Sequence, residues 1–378
     1  MHATSQKQLL QNGEENSLSM HTRLLNIMFP QLFFQNYKIH FFFPVLILCF
    51  FLSALRGFSQ TQTTPDTKIH GAQPLKVAAV PRTIPAKRTV MAAMQAALDR
   101  HGFGVGIIDG LAGVKTKQAF DDYRNSHKPP LDEKDGRTSL LETDEPSFVW
   151  YTISADDLNK VGTAPVDWEE AAAVATMACE SLLEVISEKF HISERLLPLL
   201  NPEISDWDNI EAGTNIRVTN IRPADEMLSS IGSIVIDIDA FRLRVFDATN
   251  NLAASFPCSI ARERAKVPDR DLSIVAIAPR PNYTFNPANF PDSPRAQAIG
   301  RKLIINPGPN NPVGVFWISL SLPGYGIHGT PKPATIGNME SRGCFRLCNW
   351  DAHTLGYSVK PGIPVLIKTS GKTKTSTP

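Results

Sequence analysis

Cysteine is scarce in this chain: five in 378 residues, with no Cys-x-x-Cys pair among them. The spacings of its Cys and His residues match none of the usual zinc clusters. An excess of one charge is missing too. Thirty-eight Lys and Arg offset 37 Asp and Glu, for a net charge of +1, so nothing attracts nucleic acid and there is no acidic tail. A run long enough to span a bilayer is also lacking. The stretch "FFFPVLILCFFLSAL" at 41–55 falls short of the roughly 20 residues a membrane helix needs.

What is present reads as an exported, multidomain chain. Hydrophobic residues make up 42% and charged residues 20%, which suits globular rather than disordered structure, and the length allows two or three domains. The 29 prolines predict turns and linkers. The apolar run at 41–55 follows Arg23, Lys38 and His40 and precedes Gly57 and Ser59 at the −3 and −1 positions of a cleavage site. Residues 1–59 therefore read as an N-terminal extension plus a signal peptide, or an uncleaved signal anchor, which would be the chain's one membrane contact. Met20 or Met28 would give a signal of more ordinary length. Cys49 follows Leu48, which argues against a lipoprotein site. Export would leave Cys179, Cys258, Cys344 and Cys348, with a Cys179–Cys258 bridge open.

Residues 60–88 are a Thr- and Pro-rich linker. In 89–125, Val90, Met94, Ala97 and Leu98 suit a helix ended by Gly102. "IIDGLAG" is a turn, and Thr116 would cap a second helix with Ala119, Phe120 and Tyr123 on its apolar face. The pattern resembles a peptidoglycan-binding-like helical module; a helical hairpin that only packs on its neighbour is the alternative. Residues 126–148 read as a second, polar linker. In 149–220, Ser181 and Glu184 suggest a capping box, Ser193 a second cap, and Asn201–Pro202 a helix end before a strand. This unit resembles a LysM module, a small glycan-binding βααβ unit, although about 25 residues separate its first strand from its first helix. Glycan-binding and purely structural readings both stay open.

Residues 232–369 alternate in the manner of strands. Ile234, Ile236 and Ile238 share one face, followed by Phe241, Leu243 and Val245, then "ATNN" as a turn. Further short apolar runs punctuated by Gly and Pro predict a mainly β sandwich or half-open barrel. One helix is expected at "NWDAHTLGYSV", capped by Asn349 or Asp351. Residues 370–378 read as a frayed tail.

The chemistry concentrates in "YGIHGTPKPATIGNMESRGCFRLCNW" at 325–350. Cys344 can be read as a nucleophile, half of a disulfide, or a metal ligand. A nucleophilic thiol needs a base, which His328 could supply. Gly343 permits close backbone approach, so amides at 343 and 344 could face an oxyanion. Arg346 would lie on the same face of an extended segment as Cys344, ready to bind a carboxylate. Cys344 and Cys348 would be about 13 Å apart in a strand, too far to bridge. Cys348 reads as a small buried apolar residue.

"IHGT…SRGCFRL" closely resembles the signature of L,D-transpeptidases with a YkuD-type catalytic domain, and the likeness extends over about residues 233–368. It implies Cys344 as acyl-accepting nucleophile and His328 as general base and acid, with the carbonyl of Gly329 orienting the imidazole. Ser341, Arg342, Gly343, Arg346, Tyr325 and Thr330 would shape the oxyanion and substrate site. Position 342 is Arg where the signature usually has His; its charge would favour the thiolate. The implied fold is a mainly β catalytic domain behind two small N-terminal units. The implied reaction attacks a peptidoglycan tetrapeptide stem between diaminopimelate and D-Ala, forms a thioester, and passes it to an amine to give a 3–3 cross-link. No cofactor or metal is implied. Implied partners are stem peptides and glycan strands in the periplasm or cell envelope, with water, a free D-amino acid or an envelope-protein Lys as other acceptors. A catalytically dead peptidoglycan-binding scaffold is the reading of another class.

Overall fold

A computed structural model describes residues 77–143, 145–221 and 228–369. The expected extension and signal at 1–59, most of the first linker and the tail at 370–378 lie outside the described residues.

Helix α1 (Ala86–Arg100) buries Met94 and Ala96–Leu98, while Val90 is exposed. It ends as expected at Gly102, whose φ is +84°. There Phe103 N–H donates to Leu98 O and Gly102 N–H to Asp99 O, a Schellman closure. Helix α2 (Val114–Ser126) buries Ala119, Phe120 and Tyr123. Its N-cap is Gly113, not Thr116. Thr116 instead lies buried within the first turn and accepts from Gln95 Nε2. Gln95 also accepts from the amides of Asp109 and Gly110. A buried amide side chain thus fixes the "IDG" turn, because each polar atom taken from water needs a partner.

The stretch expected as a second linker contains helix α3 (Glu133–Leu141), capped by Asp132. It packs on α1 and α2 through Leu140, which is fully buried. The polar composition of 126–148 reflects a helix with one narrow apolar contact.

Strand β1 (Phe148–Thr152) is followed by α4 (Ala155–Leu158), α5 (Trp168–Ala173), α6 (Leu182–Lys189), α7 (Leu197–Leu200) and β2 (Asn215–Thr219). β1 and β2 pair antiparallel, Phe148 opposite Thr219. Ser181 caps α6 by accepting from Glu184 N–H. Glu184, however, returns to the amide of Glu180 rather than to that of Ser181, so the capping box is shifted by one residue. The separation between β1 and α6 is an excursion carrying α5, which leaves the β1–β2 unit and joins a different core with Phe285 and Ile305.

The catalytic region is one mixed eight-stranded sheet. In chain order its strands are β3 (Ile231–Asp237), β4 (Arg242–Asp247), β5 (Leu252–Pro257), then, past the short β6 (Ile260–Ala261), β7 (Leu272–Pro279). Next come β8 (Tyr283–Phe285), α8 (Pro294–Ile299), β9 (Leu303–Ile305), β10 (Phe316–Leu320), β11 (Gly326–His328), β12 (Met339–Ser341), β13 (Phe345–Arg346), α9 (Asn349–Ser358) and β14 (Pro364–Lys368). The large sheet runs β13-β11-β10-β7-β14-β3-β4-β5, with β8–β9 and β6–β12 as separate small pairs. β3, β4 and β5 form the expected antiparallel meander. β14 against β3 and β13 against β11 are parallel.

Ile234, Ile236, Leu243 and Val245 face one core, and α9 covers the sheet over β7, β10 and β11. Phe241 departs from the alternation: it sits before β4 with φ +51°. The N-cap of α9 is Cys348, with no side-chain cap. Asn349, expected to cap, donates instead to Pro309 O and accepts from Val315 N–H.

The other face of β4 is not solvent-exposed. Arg242 is fully buried and donates to Asp122 of α2 at 2.9 Å, to Gly104 O and to Ser255 Oγ. Arg244 reaches the other oxygen of Asp122 at 2.8 Å. The N-terminal helices are therefore bound to the catalytic sheet through a desolvated ion network, whose cost is met by multiple charge-assisted bonds. All described residues belong to one compact unit.

The four described cysteines are free. Cys179 belongs to the N-terminal core and Cys258 to the catalytic core, so the bridge left open by the sequence is not formed. Among the described residues no group of three His, Cys, Asp or Glu side chains could hold a metal, and no helix is long and apolar enough to cross a membrane.

Candidate active site

The sheet edge brings the sequence-marked residues together. β13 pairs in parallel with β11, setting Phe345 beside Ile327 and Arg346 beside His328. Cys344 immediately precedes β13. Followed back by two residues, the register sets Cys344 level with Gly326, whose backbone acts on the thiol. The residues sixteen apart in sequence thus come to lie on neighbouring strands, His328 level with Arg346 and two positions further along than Cys344.

His328 is buried at 6% exposure. Its Nδ1 lies 2.7 Å from Gly329 O. A carbonyl only accepts, so Nδ1 carries the proton and Nε2 keeps its lone pair. Trp317, opposite His328 in the β10–β11 register, stacks on the imidazole with centroids 5.3 Å apart and an 18° interplanar angle. Burial lowers the His328 pKa to about 4; the backbone of Gly329 opposes this, the charge of Arg346 reinforces it, and the backbone of Val313 opposes it more weakly. The imidazole is therefore neutral at neutral pH.

Cys344 is half-buried, and its thiol donates weakly to Gly324 O at 3.6 Å. Burial pushes its pKa above the ordinary thiol value, against a smaller lowering by the backbone of Gly326. The resting pair is thus a neutral thiol with a neutral imidazole. Arg342 is exposed, two residues before Cys344. Its guanidinium lies over the Phe290 ring, 4.0 Å from the centroid.

The 341–344 loop is held by Ser341, whose hydroxyl donates to Cys344 O and accepts from Gly343 N–H at 3.3 Å. The Gly343 amide is therefore engaged rather than open to an oxyanion. Gly343 has φ +157°, a conformation that disfavours other residues, and faces the Tyr325 ring. Tyr325 turns its hydroxyl away, donating to Lys266 O at 2.7 Å. Thr330 is buried and accepts from Lys332 N–H, bracing the turn after His328. Arg346, expected to await a carboxylate, is already paired with Glu340 at 2.9 Å.

Three aromatic residues around this edge carry no motif in the sequence. Burial raises the Tyr283 hydroxyl pKa, with the charge of Arg342 opposing and Cys344 reinforcing. Phe290 lies under Arg342. Trp168, from the α5 excursion, stacks on Phe285 at 4.5 Å and tilts against Phe290 at 5.7 Å. The excursion is stitched to the β9–β10 connection by Met177 N–H to Pro307 O and Asn310 N–H to Met177 O. Gly308 is required there, since a Cβ would lie 2.1 Å from Met177 O. The signal in sequence was the aromatic spacing of "PNYTFNPANF" together with Trp168 in "APVDWEE", neither of which names a partner.

Residues 232–367 match the family model described as the L,D-transpeptidase catalytic domain. The chain is 28% identical over 187 residues to a putative L,D-transpeptidase YkuD of Bacillus licheniformis, covering 49% of this chain and 92% of that protein. It is 29% identical over 190 residues to a probable L,D-transpeptidase YcfS of Escherichia coli, spanning 49% of this chain and 58% of that one. Among solved structures, an L,D-transpeptidase from Mycobacterium smegmatis matches at 20% identity and a TM-score of 0.29, over 42% of this chain and 75% of the other.

Proposed function

We propose that the protein is an exported L,D-transpeptidase of peptidoglycan in which Cys344 is the nucleophile and His328 the base. The observation that supports this reading is the hydrogen bond from His328 Nδ1 to Gly329 O, which assigns the imidazole proton to Nδ1, on the strand beside the one that follows Cys344. In the reaction the thiol leaves Gly324 O and gives its proton to Nε2 as sulfur attacks the carbonyl between the L-centre of diaminopimelate and D-Ala. The Cys344 amide is the proposed oxyanion donor. Nε2–H then protonates the departing D-Ala amine, leaving a thioester. An amine from a neighbouring stem loses a proton to His328 and attacks the thioester, giving a 3–3 cross-link and restoring the thiol. A neutral pair suits this cycle, because the thiolate is generated only when substrate is in place.

The test is to incubate the full chain with disaccharide-tetrapeptide and separate the products by mass. Free D-Ala and 3–3 dimers are expected, and neither with Cys344→Ser. Tripeptide alone would identify water as acceptor, hence an L,D-carboxypeptidase. Transfer only to an envelope-protein Lys would make it an attachment enzyme. No D-Ala release from folded, reduced protein would contradict the proposal and favour the scaffold.

A further inference from the structure

We infer that Arg342 forms a carboxylate-binding subsite beside the thiol, and that the aromatic platform holding it is built jointly by the catalytic domain and the α5 excursion. This rests on the L,D-transpeptidase reading above. Arg342 is exposed, two residues from Cys344, and has no acidic partner among the described residues. Arg346, the other guanidinium of the signature stretch, is already committed to Glu340. A planar guanidinium stacked on an aromatic ring keeps its in-plane N–H donors free for a two-pronged bond to a carboxylate.

The platform fixes where those donors point. Phe290 lies under the guanidinium, and Trp168 and Phe285 pack against Phe290. Arg295–Asp167 at 3.1 Å and Arg301–Glu169 at 3.1 Å add ion pairs between the excursion and the segment around α8. Tyr283 tilts against Trp168 in the same aromatic cluster, with centroids 6.0 Å apart. The donor stem offers two carboxylates near the reacting carbonyl: the C-terminal carboxylate of D-Ala and that of the diaminopimelate side chain. Either would meet the guanidinium, and binding one of them would distinguish a free-ended tetrapeptide from an amidated or longer stem.

The experiment titrates full-chain Cys344→Ser calorimetrically with three stem tetrapeptides: the free acid, its C-terminal carboxamide, and the form amidated on the diaminopimelate side chain. Amidating the carboxylate that Arg342 holds should weaken binding about tenfold, the scale of one charge-assisted pair. In Cys344→Ser/Arg342→Gln that difference should vanish, and the arm affected names the carboxylate. Trp168→Ala should reduce the discrimination and Trp168→Phe restore most of it. Equal binding of all three peptides, no measurable binding of the free acid, or an equal loss for all three on Arg342→Gln would overturn the subsite. Thioester formation is not needed for this readout, so its failure and that of the transpeptidase reading are separable.

Discussion

The floor and the wall of the site are built differently. The floor is the β11–β13 ladder, with His328, Gly329, Ser341 and Cys344 within one short stretch of chain and fixed by backbone pairing. The wall is Trp168, Tyr283, Phe290 and Arg342, drawn from three distant segments and fixed by ring stacking. The floor carries the proposed nucleophile and base, and the wall carries the proposed carboxylate subsite.

Substitutions should separate the two. The largest effect is expected on the floor: His328→Gln should slow acylation of Cys344 by about 10²–10⁴-fold, measured as the rate of mass-adduct formation, with little change in peptide affinity. Next is the anchorage that holds the N-terminal units against the sheet. Asp122→Ala leaves Arg242 buried without its bonded carboxylate and beside the like charge of Arg244, and should cost about 3–5 kcal/mol in denaturant unfolding, whereas Arg301→Ala, at an exposed pair, should cost less than about 1 kcal/mol. A smaller effect belongs to the wall: Trp168→Ala should weaken stem-peptide binding several-fold while leaving the pH profile of acylation unchanged.

That profile sharpens the contrast. With the His328 pKa lowered from 6.5 to about 4, the base stays competent as pH falls through 6.5, and the acid limb should lie near pH 4. The same depression contributes stability present above pH 6.5 and lost as pH falls toward 4. A second pH-dependent contribution comes from Glu188 on α6. Desolvation raises the Glu188 pKa to about 8, partly offset by its hydrogen bond with Asn349. A raised carboxyl contributes stability that is present below its unfolded value of about 4.3 and lost as pH rises through 8. Glu188→Gln should therefore flatten the fall in thermal midpoint between pH 5 and 8.

What could be read in the sequence follows the same division. Ile234, Ile236, Leu243 and Val245 announce a half-buried sheet because alternation is a local property. His328 and Cys344 were marked as candidates by a short, recognisable stretch, and the parallel register puts them on neighbouring strands. Arg242 was not, since a charged residue at an outward strand position reads as solvated until α2 is placed over it. Helix α3 was hidden by polar composition. The α5 excursion registered only as extra length inside a LysM-like unit, because its partner Phe285 lies 117 residues beyond Trp168. Arg346 was visible as a cation, but its neutralisation by Glu340, six residues away across a turn, was not.

The most direct test of the central claim is the intact mass of the full chain after exposure to a carbapenem, compared with Cys344→Ser. The full chain is the right material because the wall and the Arg242 network both draw on residues before 232. A single stoichiometric adduct on the parent protein and none on Cys344→Ser is the expected result. Folded, reduced protein that stays unmodified, or an adduct that persists in Cys344→Ser, would contradict the assignment of Cys344 as the activated nucleophile.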